Sequence, residues 1–285
     1  MVRRACVALA LGILPGLVRA NAGDTACPST LVAGIPARST SAPDGSNFAN
    51  RIGAIDSQVR ETAIEEEILH GNVPSFLRGL KPVELRAALR GGREVRATIC
   101  VMPDYLAVGN DRDFLRTPMN LHTAADVADR LGFILPTRKM VDAIYQQSEF
   151  RLSPQPMQAG PRMRTTDYYV RHNRSVTEQI TSLNAPLGAL IAGNKKDVVI
   201  SNRLATHPGQ IAIYGWHKPD GKPIQPLSTV HGASYADYSH GIRLVSDTMY
   251  IDGKPASIRE VLKDPELAAV LSDEGPVTTL SGLLP

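Results

Sequence analysis

Cysteine, aromatic residues and long apolar runs are all scarce in this chain. Three cysteines stand among 285 residues, aromatics make up 5%, and there is one tryptophan. No P-loop, no G-x-G-x-x-G behind a strand, no C-x-x-C and no H-E-x-x-H is present. Nucleotide cofactors, dithiol redox chemistry and the helical zinc-protease site are therefore without support. Beyond the N-terminus no stretch is long and apolar enough to be a transmembrane segment.

What is present begins with an export signal. Arg3 and Arg4 form a basic start, residues 5–18 are an apolar run, and Ala20-Asn21-Ala22 is a small-x-small cleavage site. Cleavage near Ala22 predicts a secreted or periplasmic protein of about 263 residues. The signal carries three arginines and no acid, so 28 of the 31 basic residues remain against 28 acidic ones. A neutral chain gives no global basis for binding nucleic acid. Cys6 leaves with the signal. In an exported protein Cys27 and Cys100 most simply form one disulfide. A free, nucleophilic Cys100 is the other reading, opposed by its apolar neighbours Ile99, Val101 and Met102.

Residues 23–50 are rich in Gly, Ser, Pro, Ala and Asn and read as a flexible arm. The remainder, 51–285, reads as a single α+β domain. A helix is expected over 51–69 from Ile52, Ile55, Val59, Ile64 and Ile68. A second short helix is expected over 82–90, stopped by Gly91-Gly92. Residues 95–101 alternate like a strand. Thr123 with Asp126, Thr137, and Ser257 with Glu260 mark helix starts, the last for a closing helix. Residues 153–164 are a proline-rich surface crossover. The final third carries strand signals at 197–201, 210–216, 224–230, 241–245 and 248–251, with Pro219-Asp220-Gly221 and Asp252-Gly253 as turns. The pattern predicts an α+β fold: a helical N-terminal half, then a mostly antiparallel β-sheet with a closing helix.

Three of the seven histidines, His217, His231 and His240, fall close together with Asp237, Ser239 and Arg243. If extended, His231 and His240 would stand roughly 30 Å apart at about 3.3 Å per residue, so they meet only if 232–238 folds back. Two chemistries fit. In one, His231, Asp237 and His240, with His217 a weaker fourth, hold a metal. No cofactor is demanded by the sequence, and zinc is the one this donor set suits. In the other, His231 or His240 is a general base oriented by Asp237, with Ser239 or a water as attacker. A third reading has the histidines capping turns. Arg243 is placed to bind a substrate carboxylate, and Lys196, at a strand start, to hold an anionic group. Trp216 and Tyr238 are candidates to line the groove. Asp104 and Arg112 are loop candidates for an acid and a cation. Thr137-Arg138-Lys139 is a candidate anion site at a helix start.

The phrase His231-Gly232 followed by Ser239-His240-Gly241-Ile242-Arg243-Leu244 resembles the HG…SHGC-[IV]-R-[LM] signature of the YkuD-type L,D-transpeptidases, exported enzymes that cross-link peptidoglycan. The likeness covers about fifteen residues. The nucleophilic cysteine between Gly241 and Ile242 is missing, and without it the family's chemistry cannot run. The whole chain also resembles a set of secreted bacterial proteins that carry the same YGWH and DYSHGIRL phrases, a likeness that implies export and names no reaction. The expectation is an exported hydrolase acting on a cell-wall or other extracellular polymer, with peptidoglycan peptide links as substrate. Two rivals stand beside it. One is a polysaccharide lyase in which Tyr238 or His231 abstracts a proton beside a uronate. The other is a secreted binding protein.

Overall fold

The computed structural model describes residues 27–277. The expected export signal, and residues 23–26 of the expected arm, lie outside the described residues. The fold is α+β with mostly antiparallel sheets. Its organising element is the strand Glu94–Val101, in which Val95, Ala97 and Ile99 are buried. Along one edge it pairs with Lys81–Ala88; along the other it meets Thr248–Ile251 and Val245–Ser246. With Lys254–Ser257 and Phe133–Ile134 these make a six-stranded antiparallel sheet.

One element changes type. Residues 82–90 are expected as a helix but form most of the strand Lys81–Ala88. Val83 and Leu85 stand two apart on one face, opposite Ile99 and Ala97, so burial follows a period of two and the sheet wins over helix propensity. Gly91 and Gly92, at φ of 84° and 81°, turn the hairpin rather than stop a helix. The expected helix over 51–69 begins only at Ser57, as Ser57–Leu69, because the Asp56 carboxylate caps it by accepting from the Gln58 amide, and a separate helix, Gly45–Arg51, forms at the end of the expected arm.

Other local signals act as expected. Thr137 and Ser257 cap the helices Arg138–Gln147 and Ile258–Lys263. Asn120, rather than Thr123, caps Leu121–Arg130, accepting from the Thr123 amide. The expected flexible arm is, from Cys27 on, tied down. Cys27 is bonded to the buried Cys100. The Arg38 guanidinium donates to Asn72 Oδ1 and to the carbonyls of Gly109, Ala42 and Pro43. Among the described residues no helix is long and apolar enough to cross a membrane.

A second sheet carries the histidine-rich stretch. Its order is Pro223–Gly232, Gln210–His217, Lys196–Val198, His240–Gly241. The first three strands are antiparallel and the last pairs in parallel. The long helix Thr166–Ser182 places Tyr168, Tyr169 and His172 in the core.

Candidate functional site

The site is built around the parallel pair Lys196–Val198 and His240–Gly241, in which His240 stands opposite Lys196 and Gly241 opposite Asp197. Side chains alternate between the faces of a strand, so Lys196 and His240 share one face and Asp197 the other. The pairing is fixed by the Lys196 amide donating to the Ser239 carbonyl at 2.8 Å.

On the Asp197 face the Tyr105 ring lies flat against Gly241. A Cβ at Gly241 would stand 2.5 Å from Tyr105 Cε1 and 2.9 Å from Lys195 Cβ. Tyr105 donates its hydroxyl to Asp197 Oδ2 at 3.0 Å. The Arg243 guanidinium covers the other part of the ring, 4.3 Å from its centroid, and donates to the carbonyls of Met102 and Ile191. Arg243 is thus buried and spent on backbone acceptors. The expectation that it binds a substrate carboxylate fails, because charge alone does not reveal burial. Burial pushes Asp197 up to about 6, against the pull of Arg243 and Tyr105. Gly241→Ala is expected to lower stability by about 1–3 kcal/mol, the usual cost of overpacking. Urea denaturation checks this, and an unchanged midpoint would contradict the packing described.

The other face holds the polar cluster. His240 is fully buried and neither ring nitrogen makes a well-aligned hydrogen bond, the Met119 backbone being its one weak polar contact of that kind. Burial pushes it down to about 4, opposed by Asp237 and reinforced by Lys196 and His231. Its imidazole is therefore neutral across ordinary pH. Asp237 is also buried, and burial alone would raise its carboxyl. His240, Ser239 and Lys196 outweigh that and hold it below its ordinary value. Asp237 Oδ1 accepts from the Ser239 hydroxyl at 2.5 Å and amide at 2.8 Å, and Oδ2 from the Tyr235 hydroxyl at 3.0 Å.

These bonds decide among the expected roles. Ser239 is fully buried and gives its proton to Asp237, and His240 has no bond to it. Ser239 anchors the loop and is not an attacker. His231 and His240 do approach, as a folded-back 232–238 requires, but both contact Tyr235. His231 stacks on that ring at 4.2 Å and His240 meets its edge at 5.7 Å. Among the described residues no group of three His, Cys, Asp or Glu side chains could hold a metal ion. The three donors of the expected zinc site, His231, Asp237 and His240, are therefore not arranged around a common point. His217 stands elsewhere. It pairs with Pro223 at the turn end of the hairpin, whereas His231 pairs with Ile211 at the far end. Its Nε2 lies 3.0 Å from Asp142 Oδ1 and its ring stacks on Tyr145.

Cationic and aromatic side chains flank the cluster. Lys196 Nζ lies 5.1 Å over the Trp216 ring, and the Arg164 guanidinium 5.4 Å over Tyr235. Neither forms a carboxylate pair among the described residues. Trp216 holds a positive φ of 56°, costly for a bulky residue, and its indole N–H has no acceptor. Tyr238 walls the cluster 6.4 Å from Trp216, with its hydroxyl accepting from the Met157 amide.

Sequence reasoning missed three contributors. Tyr235 was visible only as a neighbour of Asp237. Arg164 arrives from the proline-rich crossover, and no local pattern announces it. Lys195 is buried and donates to the Tyr238 carbonyl at 2.7 Å, beside His172 Nδ1 at 3.4 Å. Burial first, then Arg116, brings Lys195 down to about 7. Asp104, a loop candidate, is paired with buried Arg116 at 2.7 Å. Comparison with protein-family models, curated proteins and solved structures finds no match to this chain.

Proposed function

We propose that this protein is an exported hydrolase acting on a cell-envelope or extracellular polymer, with peptidoglycan peptide links as its substrate. The reading rests on His240, a buried neutral imidazole with no side-chain hydrogen bond, beside an ionised Asp237 and near two cations that form no salt bridge among the described residues. A buried polar group without a partner costs about 1–3 kcal/mol, a cost that a bound substrate or its water removes. His240 takes a proton from the attacking water as it adds to the scissile carbonyl, and returns it to the departing amine. Asp237 stabilises the imidazolium formed between these steps. Lys196 and Arg164 hold a carboxylate of the substrate, and Trp216 offers its ring and N–H. The half-buried His231–Tyr235 stack separates His240 from solvent, so substrate engages by displacing it. The chemistry needs no thiol: Cys27 and Cys100 are bonded to each other.

The lyase alternative loses its tyrosine base, since the Tyr238 hydroxyl is engaged by Met157. The test is incubation of the purified chain with isolated peptidoglycan and, separately, with a uronate polysaccharide. Release of new amino groups from peptidoglycan is expected. An unsaturated, ultraviolet-absorbing product from the uronate would select lyase chemistry, and binding with no product would select a binding protein.

A further inference from the structure

A second site lies where the tied-down N-terminal segment crosses the loops near Val73 and Asn110. Ala37, Arg38, Arg78 and Arg112 help enclose an open cavity of about 700 Å³. Its three guanidiniums make no salt bridge among the described residues. Arg38 is bonded to an amide oxygen and to carbonyls, and Arg78 to the carbonyls of Ile35, Pro36 and Gly71. These neutral acceptors fix both side chains in place and leave their charge uncompensated. Arg112 is exposed, and only its backbone amide is bonded, to Asn110 Oδ1. The single acid of the cavity, Asp111, is taken up by the Ser75 hydroxyl and the Phe76 amide. The lining therefore carries three positive charges and one negative.

A second cavity of about 530 Å³ shares Arg112 and runs on past Phe114, Asn173 and Arg174 along the helix Thr166–Ser182. That lining also holds Asp113 and Glu178 beside Arg112 and Arg174, so the excess of positive charge belongs to the first cavity. Arg38 and Arg78 are half-buried and held by their bonds to neutral acceptors, so they contribute mainly their charge and lose little freedom on binding, while the exposed Arg112 guanidinium keeps its fork for the oxygens of an oxyanion.

We propose that the Arg38–Arg78–Arg112 cavity binds phosphate groups. This does not depend on the chemistry at His240. The test is calorimetric titration of the full chain at low salt with inorganic phosphate and with long-chain polyphosphate. Both should bind, polyphosphate more tightly per chain because each chain presents many phosphates to the cavity. Arg112→Ala, which removes no bond of the fold, should weaken both about tenfold, and raised salt should weaken both further. Arg78→Lys keeps the charge but loses the fork that holds it in place, and should weaken binding with folding monitored by circular dichroism. Binding of inorganic phosphate alone, weakened by Arg112→Ala, supports the cavity with a free-phosphate ligand. No heat with either probe, or binding unchanged in Arg112→Ala, overturns the site.

Discussion

Replacing His240 by glutamine should leave a folded protein whose turnover of peptidoglycan falls about 10²–10⁴-fold, the usual contribution of a positioned acid–base group. The fall should appear in kcat, with KM little changed, because the groups assigned to binding, Lys196, Arg164 and Trp216, stay in place. Glutamine keeps a polar side chain of similar length in a site that is fully buried. His217→Gln is the matched control: His217 stands at the turn end of the hairpin with Asp142, and its loss should leave turnover near that of the parent. The pH dependence gives a second signature. Because His240 is brought down to about 4, its free base persists well below the ordinary histidine range, and activity should hold from neutrality to about pH 5. Stability carries the same mark. The unfolded chain takes up this proton near pH 6.5 and the folded chain only near 4, so stability falls as pH is lowered through that window. His240→Gln should remove that slope. Retained turnover in His240→Gln would sink the site, whatever the pH profile.

The parts legible in the sequence were those set by near neighbours. The hairpin closed by Pro219-Asp220-Gly221, the caps at Thr137 and Ser257, and the turn at Asp252-Gly253 each depend on a few consecutive residues, and each formed. The weaker standing given to His217 also agrees with the fold, because pairing of the two strands sends it and His231 to opposite ends. What failed depended on distant partners. Lys81–Ala88 is a strand because Glu94–Val101 lies beside it. Arg243 is structural because Tyr105, Met102 and Ile191 receive it, and nothing within DYSHGIRL reveals them. Lys195 and Lys196 are adjacent in sequence and opposite in role. One is buried against Tyr238 and His172, the other half-buried over Trp216, and only the strand's alternation separates them. The zinc reading failed for a related reason. Donor types were visible in the sequence, but their arrangement in space was not.

Removing the Cys27–Cys100 disulfide should be the most destabilising change tested. The bond joins residues 73 apart. In the chain-entropy account, closing a loop of that length in the unfolded state is worth about 4 kcal/mol at 25 °C. The segment it secures has few elements of its own before the helix Gly45–Arg51, among them one 3-10 turn, Ser29–Val32, with no buried residue. Cys100, by contrast, sits fully buried in the strand Glu94–Val101, so the bond anchors a weakly held segment to the best-held strand. The double variant Cys27→Ala with Cys100→Ala should lose about 4 kcal/mol by urea denaturation, and reduction of the parent should match it. Because Arg38 lies within the bridged loop, the double variant should also bind phosphate more weakly while His240-dependent turnover survives in the folded fraction. A loss below about 1 kcal/mol would mean that the bonds of Arg38 and Arg78 to backbone carbonyls already hold the segment, and that the covalent link adds little to them.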